Sequence, residues 1–82
     1  MSEMKELDKL RVLLPHWIDH NRSHIAEFEK WQGVAAEEGS PASACLVEAV
    51  AAMTRAGEAL SQVLAELGGP LAAPGHHHHH HD

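Results

Sequence analysis

Apolar residues recur at helical intervals along most of this chain, and two stretches show it plainly. In the first, Leu7, Leu10, Leu13 and Leu14 are followed by Trp17, Phe28, Trp31 and Ala35. In the second, Leu46, Val50, Met53, Gly57, Leu60, Leu64 and Leu67 give a heptad-like stripe flanked by Ala49 and Ala56. Spacings of three, four and seven belong to helices that lay one face against a partner helix. Strand-like alternation is missing, so the pattern predicts an all-α chain. On a wheel of about 100° per residue, Leu10, Leu14, Trp17, His24, Phe28, Trp31 and Ala35 form the predicted inner face of the first helix.

The punctuation between these stretches places the helix ends. Ser2, with Glu3 and Glu6 behind it, reads as a helix start, because acidic side chains favour the first turn. Pro15 lacks an amide hydrogen and crowds the preceding turn, so the first helix is expected to kink or break there and continue in nearly the same direction. Gly33 is a weak point, and Glu37-Glu38-Gly39 reads as the end. Ser40-Pro41 opens the last helix, and Gly68-Gly69-Pro70 stops it. A short turn between two long helices makes an antiparallel helical hairpin. Gly57, costly inside a helix by about 1 kcal/mol against alanine, is read as space for Trp17 or an imidazole opposite.

Domain organisation follows: residues 1–67 form the helical hairpin, 68–75 a linker, and 76–82 a His-rich tail. Two helices bury little surface, so a homodimer forming a four-helix bundle is expected, with the N-terminal segment as an extra short helix. The 82 residues allow one domain at most.

Composition narrows the partners. A net charge of −6 with scattered Lys and Arg argues against nucleic acid, whose phosphates require a basic surface. No apolar run approaches the roughly 18 residues of a membrane span, and no leader is visible, so a cytoplasmic setting without membrane contact is expected. The single cysteine, Cys45, excludes an internal disulfide and is read as a small packed residue.

The candidate chemistry lies in Pro15–Trp31, which holds His16, His20 and His24, both tryptophans and the only phenylalanine. Histidines four apart project from one side of a helix with β-carbons about 6 Å apart, close enough for two imidazoles to share one transition-metal ion. His16 and His24 stand about 12 Å apart along the axis, so the ladder supports a pair rather than a three-ligand site. His16 and His20 are taken as primary ligands. His24 is either a further ligand or a buried core histidine held by one hydrogen bond. Glu27, seven residues beyond His20, is an oxygen ligand or an acceptor that orients a ring.

Further donors are available in the tail, where His76, His78 and His80 represent the run of six histidines. Eight linker residues reach up to about 27 Å, enough to fold back to His16 and His20. Such a run has the form of an affinity tag. It ends in Asp82, however, and follows Pro-Leu-Ala-Ala-Pro-Gly, which does not read as a common vector linker, so both a native tail and a tag stay open.

The segment LLPHWIDHNRSHIAEFEKW resembles the HWxxHNxxHAxEFxxW pattern of a family of small, uncharacterised, His-rich prokaryotic helical proteins that occur near cobalt and nickel uptake genes. The matching positions are His16, Trp17, His20, Asn21, His24, Glu27, Phe28 and Trp31; Ile25-Ala26 departs from the pattern, which has alanine first. The resemblance implies an association with nickel or cobalt handling and carries over no activity.

Two expectations follow. The first is a non-catalytic protein that binds nickel, cobalt or zinc for delivery, storage or sensing. The alternative is a helical dimerisation or protein-interaction module whose histidines are core or pH-sensitive residues. An enzyme is the weakest reading, since neither Cys45 nor Ser23 has an evident catalytic partner.

Overall fold

Helix α1 runs unbroken from Glu6 to Glu37 and helix α2 from Ala42 to Glu66, the second folding back against the first in a computed structural model that describes residues 5–72. Both described helices and their mutual packing match the expected antiparallel hairpin. Pro15 lies inside α1, and Gly33 does not end it. The helix therefore does not break at either point, and no separate short N-terminal helix exists among the described residues. The reading of Ser2 as a helix start falls outside those residues.

The helix ends close in the way their glycines dictate. At the end of α1, Gly39 takes φ +68, which lets its amide donate to the Ala36 carbonyl at 3.0 Å and the Ser40 amide donate to Ala35 at 2.9 Å. This pair of bonds satisfies carbonyls that a helix end otherwise leaves without partners. The same device ends α2: Gly68 at φ +103 donates to Ala65, and Gly69 donates to Leu64. Ser40 opens α2, its Oγ accepting from the Ala42 amide at 3.1 Å.

The seam between the helices is a strict alternation of three and four. On α1 it comprises Leu14, Ile18, Asn21, Ile25, Phe28, Gln32 and Ala35; on α2 it comprises Ser43, Leu46, Val50, Met53, Gly57, Leu60, Leu64 and Leu67, all buried or half-buried. The predicted stripe of α2 is this seam. The predicted face of α1 is corrected: Leu14, Phe28 and Ala35 lie in the seam, but Trp17 and Trp31 remain 42% and 48% exposed, and His24 is exposed. The aromatic stripe stands roughly 60–100° round the helix from the seam. The reason is size. The facing surface of α2 carries Gly57 and is flanked by alanines, and two helices that approach closely leave room for branched aliphatic side chains but not for indole rings.

Two polar contacts set the register. Asn21 Nδ2 donates to the Met53 carbonyl at 2.9 Å, and a β-carbon on Gly57 would stand 2.7 Å from that nitrogen. Gly57 thus makes space for Asn21, which corrects the reading of it as space for Trp17 or an imidazole. At the open end, Arg11 Nε donates to the Gly69 carbonyl at 2.7 Å and Nη2 to Gly68 at 3.3 Å, with Asp8 3.7 Å from Nη1.

Candidate metal centre

The hairpin has two broad faces, and the contacts above say which residues occupy each. Asn21 lies level with Gly57, so the segment His16–His24 lies across the middle of the hairpin. One broad face holds a groove of about 380 Å³ lined by Ile18, Arg22, Ile25, Thr54, Glu58 and Ser61, among others. The other holds the histidine ladder. By helical geometry, Leu13, Trp17, His20, His24 and Trp31 of α1 share this second face with Cys45, Ala49, Ala52, Ala56 and Val63 of α2. Cys45 is exposed, not packed, because it sits on this uncovered side.

Along the ladder the rings form a continuous row. His16 and His20 lie 6.1 Å apart between centroids with nearly parallel planes. His20 and His24 stand edge to face at 4.5 Å, and His24 lies 5.8 Å from Phe28. The closest approach is between His20 and His24, whose Nε2 atoms are 3.0 Å apart; one donates and the other accepts, according to tautomer. The close pair is therefore one turn further along than the His16–His20 pair expected from the sequence. All three rings are exposed, so His24 is not a core residue. The rotation of the seam explains this: at the wheel position assigned to the core, His24 is turned toward solvent.

Glu27 is engaged elsewhere. Its Oε2 accepts the indole N–H of Trp31 at 3.0 Å, and the Lys30 ammonium lies 5.1 Å from the centre of the Trp31 ring. These contacts anchor Trp31 on the helix surface with one side open. Among the described residues, no group of three or more His, Cys, Asp or Glu side chains is placed to hold a metal ion. Within the described residues one chain thus brings two imidazole nitrogens together and no third donor. The tail histidines His76, His78 and His80 lie outside them.

The chemistry available at the pair is specific. Two nitrogens bound to one ion at 2.0–2.1 Å stand about 2.9 Å apart at a right angle and about 3.3 Å apart at the tetrahedral angle. The 3.0 Å separation falls between these values. For both Nε2 lone pairs to face an ion, the proton between them has to move, through solvent, to Nδ1 of the same ring. No net charge changes in that step.

Sequence reasoning passed over Asn21 and Arg11, whose side chains set the position of the ladder by fixing the helix register. The signal for Asn21 was present: a polar residue in the apolar seam, opposite the one glycine in the interior of α2.

No helix among the described residues is long and apolar enough to cross a membrane. Comparison with curated proteins and with solved structures gave no match. A family match covers residues 10–67, which run from Leu10 through the ladder and the turn to the end of α2, and by it the chain belongs to the family described as a domain of unknown function, DUF8180.

Proposed function

We propose that this protein binds a transition-metal ion (nickel, cobalt or zinc) through His20 and His24, for delivery, storage or sensing rather than catalysis. The observation that carries the reading is the 3.0 Å separation of the two Nε2 atoms on an exposed helix face. Imidazole nitrogens suit these three ions, and affinity order alone does not choose among them. The resemblance of the ladder to a motif associated with nickel and cobalt handling supports the same reading. His16, one turn away, is the next ring along and a ligand for a second pairing, while Glu27, whose Oε2 accepts from the Trp31 indole, keeps its other carboxylate oxygen as an additional donor. The tail histidines His76, His78 and His80 serve as a weaker reservoir. A cytoplasmic setting fits the single cysteine.

The test is a calorimetric titration with Ni²⁺ and Zn²⁺ of the full-length chain with His76–His81 replaced by serine. The expected result is saturable binding that weakens at least about tenfold in both His20→Ala and His24→Ala. Unchanged binding in the double variant would refute the reading.

A second reading rests on a different observation. Leu13, Trp17, Trp31 and Val63 are exposed large apolar groups on one face. That surface favours an association module: a homodimer building a four-helix bundle, with Pro15 bending α1 around it. Sedimentation that stays monomeric at every chain concentration would remove it.

A further inference from the structure

We infer that the ladder face is a two-fold interface between two copies of this chain, in which the partner's His20 and His24 complete the metal site. This rests on the chelating pair proposed above and goes beyond it by naming where the missing ligands come from.

Among the described hydrophobic residues, only Leu14 and Ile18 are buried, at 1% and 7% exposure. Each contributes about 1.5–3 kcal/mol, and the rest of the seam is only half-buried, so a single hairpin leaves much apolar surface to be covered. The 25 residues of α2 give a face about 38 Å long, and two adjacent helices make it about 20 Å wide. The footprint is about 760 Å², close to the roughly 800 Å² per partner of a standard stable interface. On α2, none of the residues of this face is charged.

His20 and His24 straddle residue 22, which is also near the middle of α1. A two-fold axis lying in the interface across that point runs α1 antiparallel to its copy, overlapping along the whole helix. It sets His20 against the partner's His24, and Trp31 against the partner's Leu13. Trp17 falls beside the partner's Phe28. Because Asn21 lies level with Gly57, the same axis crosses α2 at Ala56. There it sets Ala56 on its own copy and Ala49 against the partner's Val63, with Ala52 and Cys45 level with the partner's Leu60 and the partner's Leu67, seam residues that are only half-buried in one hairpin. Small residues meet large ones down the helix, as close packing requires. One axis, positioned only by the histidine pair, thus matches both helices.

Two nitrogens per chain leave an ion short of ligands, and two pairs facing across the axis supply four. Four imidazoles fill a tetrahedral zinc site, or four positions of a nickel or cobalt ion with water in the rest.

The experiment uses the full-length chain with His76–His81 replaced by serine and Zn²⁺ as the probe. The expected titration breaks at one ion per two chains, and sedimentation in Zn²⁺ gives the dimer mass. In a Cys45→Ser background, Ala56→Cys is expected to cross-link between chains on mild oxidation in Zn²⁺. Glu58→Cys, on the groove face of α2 two residues away, is not. One ion per chain on a monomer would overturn the shared site and leave the chelating pair standing. Absence of any binding would overturn both. Cross-linking of Ala56→Cys no faster than Glu58→Cys would overturn the register.

Discussion

Substituting Gly57 by alanine is expected to change sign with its neighbour. In isolation the change should stabilise α2 by about 1 kcal/mol, the helix preference of alanine over glycine. Here the new β-carbon would stand 2.7 Å from Asn21 Nδ2, too close to persist. The Asn21 side chain must leave its position, losing its hydrogen bond to Met53, worth about 1 kcal/mol, and taking a poorer rotamer at about 1 kcal/mol more. Gly57→Ala is therefore expected to destabilise the protein by about 1 kcal/mol net. In an Asn21→Ala background nothing obstructs the methyl group, and the same substitution should stabilise by about 1 kcal/mol, a coupling of about 2 kcal/mol. Thermal unfolding followed by far-ultraviolet circular dichroism at fixed chain concentration reads this directly, since each kcal/mol moves the midpoint of a domain this small by about 4–8 °C. If Gly57→Ala shifts the midpoint by the same amount and in the same direction in both backgrounds, Asn21 does not set the helix approach.

Two further outcomes follow from the packing. Arg11→Ala is expected to cost about 2 kcal/mol, because a charged donor to the Gly68 and Gly69 carbonyls is lost at the end of α2; Arg11→Lys should recover only part, since an ammonium lacks the planar fork, and thermal melting checks both. Leu14→Ala should cost about 3 kcal/mol at any chain concentration, whereas Leu13→Ala should cost less than about 0.5 kcal/mol in dilute solution and progressively more as concentration rises, which urea unfolding at two concentrations would show.

Period and punctuation in the chain determined much of this architecture. The stripe Leu46–Leu67 named the inner face of α2 correctly because its large apolar residues, Val47 and Val63 apart, occupy one side. Gly39, Ser40, Gly68 and Gly69 marked the helix ends because left-handed backbone and an N-terminal hydroxyl are local requirements. The sharing of one side by His16, His20 and His24 was equally legible, since a regular helix fixes it.

The inner face of α1 was a different kind of question. Its apolar residues spread over two adjacent stripes, one mostly aliphatic and one rich in tryptophan, and by the area they can bury Trp17 and Trp31 rival Ile18 and Ile25 for the inner face. Periodicity within a helix says which side chains are neighbours; it does not say which way the rod is turned. That rotation was decided across the seam, where Gly57 admits Asn21 and the close approach of the backbones leaves no room for indole rings. The turn exposes the aromatic stripe and His24, and among the rotamers it selects, His20 pairs with His24 rather than with His16. Helical spacing alone thus determined that imidazoles would stand in a row, and the fit of one helix surface against the other decided which two meet and that they face outward.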